Sequence, residues 1–275
     1  MSSVNLTCAG RVVARYVWDP DLPPAVSPRP YLHPVTTLAG TTVTGFMPAD
    51  HQHHLGASVA IPVLNQANFW GGRTYVAGQG SMRLDNHGRQ QHAQWLHRSG
   101  DRLVQEICWV GRDGAPLARE VRSLSVRAVG DTSWLLRVGY ALSGIDGRAL
   151  VIDSPGARGR AGAGYGGFFW RAPAGLTQVR AYGAAGDPHG SREPWVVLTG
   201  SGPESESAAW TLVFRTGAHA DPWFVRASDY AGVCSAIAWD RPVTVAAGGV
   251  LTRRLSVLVA DGPPTDRILT EADAQ

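Results

Sequence analysis

The sequence predicts an all-β protein, a large antiparallel β-sandwich formed as one domain over residues 1–275. Three observations lead there. Short segments that alternate apolar and polar residues dominate the chain. Gly (33) and Pro (18) are abundant and spread throughout, as many tight turns require. No stretch makes an amphipathic helix longer than about two turns; the two weak candidates are residues 226–238 and 265–274.

The elements follow in order. GRVVARYVWD (10–19) sets valines and aromatics in a strand rhythm, and TTVTGFMPA (41–49) reads the same way. RLVQEICWVG (102–111), REVRSLSVRAV (119–129) and SWLLRVGYALS (133–143) come at hairpin spacing. In the second of these, Val121, Leu124, Val126 and Ala128 mostly alternate with Arg and Ser, the pattern of a half-buried strand. GDTS (130–133) and DGRA (146–149) read as turns. EPWVVLTGSG (193–202), AAWTLVFRTG (208–217) and LTRRLSVLVAD (251–261) repeat the strand pattern. GARGRAGAGYGG (156–167) lies between strand-like runs and is therefore a long loop. No repeat and no linker divides the chain.

Composition excludes several classes. All 25 basic residues are Arg, interspersed with Asp and Glu and never in a block, so the net charge of +3 does not mark a nucleic-acid binder. No glycine-rich stretch sits in the context of a nucleotide fingerprint, so no nucleotide cofactor is expected. Cys8, Cys108 and Cys234 form no framework spacing, which fits reduced thiols. No apolar run approaches a membrane span and the N-terminus lacks a signal pattern, so a cytoplasmic protein without membrane contact is expected.

The chemistry concentrates in ADHQHH (49–54), where Asp50, His51, His53 and His54 crowd together. If this segment stays extended, His51 and His53 share a face and His54 takes the other. Such a pair can hold one divalent metal (Zn, Mn, Ni or Fe) through His51, His53 and His54, with His33, His87, Glu106 or Glu120 as further donors. The same residues serve metal-free acid–base chemistry equally well, with Asp50 orienting an imidazole.

Three other stretches carry candidates. MRLDNHGRQQH (82–92) presents His87 and Arg89 at a turn, Arg89 suited to carboxylate, phosphate or sugar hydroxyls. RGRAGAGYGGFFWRAP (158–173) offers Tyr165, Phe168, Phe169 and Trp170 as flat faces for a sugar, with Arg171 for its hydroxyls. HADPWFVRASDYAGVCSAIAWDRPVTV (219–245) mixes aromatics with Asp229, Asp240 and Arg241 in a way that suits a polyhydroxylated ligand.

RPYLHPVTTLAGTTVTGFMPADHQHHLG, NFWGGRTYV, GRAGAGYGGFFWRAP and DPWFVRASDYAGVCSAIAWDRP together resemble the PmoA-like (DUF6807) proteins, over about residues 29–262. The resemblance implies a galactose-mutarotase-like supersandwich, a role in carbohydrate catabolism or tailoring, and functional pairing with an oxidoreductase. It carries over His33, Asp50, His51, His53, His54, Tyr165 and Trp170 as site residues, with Asp229 and Arg241 behind them. The expectation is an enzyme of lyase, isomerase or hydrolase type. It would act on a sugar, a keto-sugar or a glycosylated natural product, with His51 or His54 as base and His87 or Tyr165 as partner acid. The alternatives are a non-catalytic carbohydrate-binding protein and a cupin-like metal-dependent oxygenase.

Overall fold

Segments with one wet and one dry face join into a single sheet. The computed structural model describes residues 1–202 and 205–273. In it eight antiparallel strands run in the order Arg180–Tyr182, Trp195–Gly202, Ser205–Thr216, Val250–Asp261, Ser133–Gly144, Pro116–Ala128, Arg102–Val110 and Arg89–Arg98. A second sheet of seven runs Ser2–Cys8, Arg11–Asp19, Tyr31–Val35, Ala57–Ala60, Gly167–Arg171, Gly232–Ala236 and Trp223–Arg226. The chain is all-β, as expected, and the sheets face each other across one core. Leu124, Leu136 and Val257 from the larger sheet meet Leu32, Val59 and Trp170 from the smaller.

Inside that core lies an ion pair. Glu120 is fully buried, and Arg122 grips its carboxylate with Nε at 2.6 Å and Nη2 at 2.8 Å. Burying two charges is tolerable only when their remaining polar atoms are met. Trp109 Nε1 donates to Glu120, while Arg122 donates to Gln90 and to the Pro30 carbonyl. The Pro30 contact ties the larger sheet to the smaller one, as does Tyr16, whose hydroxyl donates to Gln105 at 2.6 Å. Glu120 is thus committed to the core and Glu106 to Arg119 and Gln94, so neither is a donor to the histidine cluster.

The two outer faces differ. On the larger sheet the helix Asp266–Asp273 lays Ile268 over Leu135, Val197, Val213 and Leu258. On the smaller sheet Trp70, Phe169, Phe224 and Cys234 form an aromatic layer under Tyr165, Tyr230 and Trp239.

Two expectations are corrected. Residues 226–238 are not helical: the strands Trp223–Arg226 and Gly232–Ala236 occupy most of that span. Residues 41–49 make only the isolated bridges Thr36–Thr42 and Phe46–Leu55, because Gly45 spends its N–H on the Arg171 carbonyl and Met47 turns the chain at φ 46°. Near the C-terminus the expected helix covers Asp266–Asp273, and residue 274 lies outside the described residues. Among the described residues no helix is long and apolar enough to cross a membrane, and Cys8, Cys108 and Cys234 are free thiols.

Candidate active site

ADHQHH is not extended. Two tight turns follow one another, His51 N–H to the Pro48 carbonyl and His54 N–H to the His51 carbonyl, both at 2.9 Å. The Met47 N–H closes the loop onto the His54 carbonyl. Tight turning replaces alternation, so residues three apart come together. The His51 and His54 rings stack with centroids 4.6 Å apart, and His53 lies edge-on to His54 at 4.8 Å.

A buried cation holds this loop from behind. Arg29 donates Nη2 to the His53 carbonyl and Nη1 to the carbonyls of Val26, Ser27 and Trp70, while Nε reaches Ser58. None of these partners is a carboxylate, and burial lowers the Arg29 pKa to about 9. On the other side Gly71, at φ 96°, lets the backbone pass under His53: a Cβ there would fall 2.6 Å from the His53 Cβ.

The electrostatics follow from burial. His54 is only 2% exposed, and desolvation, reinforced by His53, His51 and Arg171, drives its pKa far down. Its Nδ1 is buried with no hydrogen-bond partner. Burial lowers His53 to about 3, with Arg29 and His51 adding repulsion. Both rings are therefore neutral at physiological pH. His51 Nδ1 meets Asp50 Oδ2 at 2.7 Å, and this hydrogen bond lowers the Asp50 pKa.

A cleft of about 470 Å³ opens over these rings, walled by Trp70, Tyr165, Phe224 and Tyr230 and rimmed by Arg73, Arg160, Arg226 and Asp229. The Tyr230 ring lies 5.3 Å from both His51 and His54, and burial raises its hydroxyl pKa. Beside it a chamber of about 210 Å³ is bounded by Asp50, Arg171, Asp229 and Tyr230. The Arg171 guanidinium sits 4.3 Å from the Tyr230 ring centroid, with Nε and Nη1 buried and unpartnered. A buried guanidinium with open donors is set to receive oxygen ligands.

Asp50, His51, His53, His54, Tyr165, Arg171 and Asp229 are thus brought to one place, and the other expected residues are not. Trp170 is fully buried and donates Nε1 to the Val43 carbonyl, since strand alternation sends Phe168 and Trp170 into the core while Phe169 faces the site. His33 bonds Thr44 and stacks on Phe46 beneath the loop. His87 bonds the Gly72 carbonyl at 2.7 Å and lines a separate cavity that also reaches Asp50 and His53. Arg89 is exposed on an edge strand and Arg241 is exposed in a turn; neither lines the cleft. Among the described residues no group of three or more His, Cys, Asp or Glu is placed to hold a metal ion. The His51, His53 and His54 rings stack on one another's faces and edges.

The sequence reading did not single out Arg29, Trp70, Arg73, Arg160, Phe224 and Tyr230 as site residues. For Trp70 and Arg73 the signal was WGGR, where paired glycines mark close backbone approach, and Arg160, Phe224 and Tyr230 lie within the stretches 158–173 and 219–245 already singled out.

The chain belongs to DUF6807, a family of unknown function whose pattern matches residues 3–273. No curated protein matches it. Among solved structures, an Escherichia coli K12 protein assigned provisionally as an aldose 1-epimerase is 10% identical, with 94% of this chain and 99% of that chain aligned at a TM-score of 0.46. A provisionally assigned kojibiose phosphorylase from the human microbiome is 10% identical, with 63% of this chain and 20% of that chain aligned at a TM-score of 0.34.

Proposed function

We propose that this chain is an enzyme that removes a proton next to a carbonyl or anomeric centre of a sugar or glycoside. The observation that carries this reading is the Asp50–His51 pair at 2.7 Å, stacked on a buried neutral His54 at the floor of an aromatic cleft. If the His51 Nδ1–H donates to the Asp50 carboxylate, the Nε2 lone pair is left as the proton acceptor. A proton passes from the carbon next to a substrate carbonyl to Nε2, the C–H electron pair becomes a carbon–carbon double bond, and the carbonyl π pair moves onto its oxygen. The Tyr230 hydroxyl, kept protonated by burial, donates a hydrogen bond to that oxygen. Trp70 and Tyr165 face the apolar side of the ring, while Arg171 and Asp229 take its hydroxyls. Epimerisation and elimination both begin with this step, and hydration of a double bond runs it in reverse.

Solvent exchange tests it. In D2O, a panel of aldoses, keto-sugars and glycosides is followed by proton NMR with catalytic amounts of protein. One carbon-bound proton should exchange or be eliminated, with a rate that falls about 10²–10⁴-fold in His51→Ala. Ligand binding without exchange, unaltered in His51→Ala, would mean a non-catalytic carbohydrate-binding protein instead.

A further inference from the structure

A second cavity, of about 820 Å³, meets the cleft at the His53 ring. Asp50, His53, Gly72 and Arg73 line both spaces. Gly72, at φ 68°, makes the junction possible: a Cβ there would stand 2.9 Å from Cε1 and Nδ1 of His53. The two spaces are built as one unit. The turn Pro24–Val26 walls the cavity, and its Ala25 carbonyl accepts the Gly72 N–H at 2.8 Å. Arg29 extends the tie. It donates to the carbonyls of Val26 in the cavity wall, His53 at the junction and Trp70 in the cleft wall. One buried guanidinium thus fixes a wall of each space and the segment they share.

The linings differ in chemistry. The cleft has Trp70, Tyr165, Phe224 and Tyr230, flat faces against which a sugar ring can stack. Apart from the imidazoles of His53 and His87, the cavity has no aromatic side chain. Pro23, Pro24, Ala25, Val26 and Leu84 give it an aliphatic wall instead. Leu84 is 38% exposed, one of the few large apolar side chains among the described residues left open to solvent. Much of the polar rim is already engaged. Asp50 is bonded to His51, Asp85 to Arg112, Arg73 to the Ser81 carbonyl and His87 to the Gly72 carbonyl, with Arg83 completing the rim. A sugar ring in the cleft leaves this cavity for whatever the sugar carries. A second sugar would find no stacking face there, whereas an apolar ring system would bury its surface on saturated carbon.

We propose that this cavity is the aglycone subsite of the cleft, so that the substrate is a glycoside of an apolar ring system, not a free aldose or an oligosaccharide. The inference rests on the sugar reading of the cleft. Isothermal titration calorimetry of the full-length protein tests it, with methyl glycosides, methylumbelliferyl glycosides and glucosyl disaccharides of a panel of sugars. For the sugar the cleft accepts, the methylumbelliferyl glycoside should bind at least about tenfold more tightly than the other two. Leu84→Ser and Ala25→Asp, both at exposed positions, should each cut that ratio at least about threefold with an unchanged melting temperature. His51→Ala should keep the ratio. Equal affinity for methyl and methylumbelliferyl glycosides, tighter binding of the disaccharide, a ratio unmoved in both cavity variants, or no binding of any glycoside would each overturn the proposal. Deuterium exchange without the aryl preference would sink the subsite alone, and the preference without exchange would sink the proton abstraction alone.

Discussion

Acid should unfold this protein partly through His54, and the size of the effect can be worked out. In the unfolded chain a histidine titrates near 6.5. Burial, with repulsion from His53, His51 and Arg171, holds folded His54 neutral far below that. Between the two values the unfolded state binds a proton that the folded state refuses, so stability rises with pH. The contribution is fully present above about pH 6.5 and is lost as pH falls, at about 1.4 kcal/mol per unit. Over the interval from pH 6.5 to 5 that is about 2 kcal/mol for one histidine held neutral throughout. His53, lowered to about 3, adds as much again. His33, His92, His189 and His219 are lowered too, so acid lability of the whole protein does not single out the site. Comparison with His54→Leu does. Leucine packs against Trp70, Phe169 and Tyr230 without a proton to refuse, and the other histidines are common to both proteins. Urea unfolding followed by tryptophan fluorescence should show the variant gaining about 2 kcal/mol relative to the native chain between pH 6.5 and 5. Parallel stability curves would mean that His54 is charged or solvated in the fold, and the account of a neutral stacked pair would fail.

Glu120→Gln should destabilise the fold by about 3–5 kcal/mol, because it leaves the Arg122 guanidinium buried without its counter-charge; thermal or urea unfolding reads this directly. Tyr230→Phe should lower kcat by on the order of 10²-fold with little change in KM, as expected of a donor to a developing oxyanion. An equal rise in KM would place Tyr230 in ground-state binding instead. Dialysis against EDTA should leave turnover unchanged, since His51, His53 and His54 do not converge. Loss restored by one divalent metal would return those three residues to the role of ligands.

Most of the larger sheet was legible in the sequence, whereas in the smaller one only Arg11–Asp19 was, for a physical reason. Pro116–Ala128 and Val250–Asp261 have one face toward solvent over much of their length, so polar and apolar residues alternate along them. Ala57–Ala60, Gly167–Arg171 and Gly232–Ala236 are buried at every position, on one side by the core and on the other by the aromatic layer of the site. A short strand with two dry faces has no alternation to read. The aromatics of GFFWR therefore read together as flat faces for a ligand, and Trp170 was assigned to the wrong side. The histidine cluster was found by composition, but its geometry was not. Whether His51 pairs with His53 or His54 depends on the turn His51–His54, and Asp50 gave no sign that the chain would turn twice. Arg29 was invisible because every acceptor it meets but Ser58 is a backbone carbonyl, and carbonyls leave no mark in a sequence.

Arg29 also bears on why the cluster suits protons. A carboxylate in its place would favour a charged imidazole at His53, whereas a buried guanidinium bonded only to neutral acceptors keeps its full positive charge directed at the loop. Arg171, over the Tyr230 ring, adds a second cation that opposes charge on His54. Among the described residues the one carboxylate in hydrogen-bond contact with the three rings is Asp50, and it contacts His51. Positive charge is therefore steered to a single ring. In the proposed reaction the proton from substrate goes to His51, the imidazole with a partner able to stabilise the imidazolium, while His54 and His53 stay neutral. Three adjacent histidines, which look interchangeable in the sequence, are made unequal by the charges placed behind each of them.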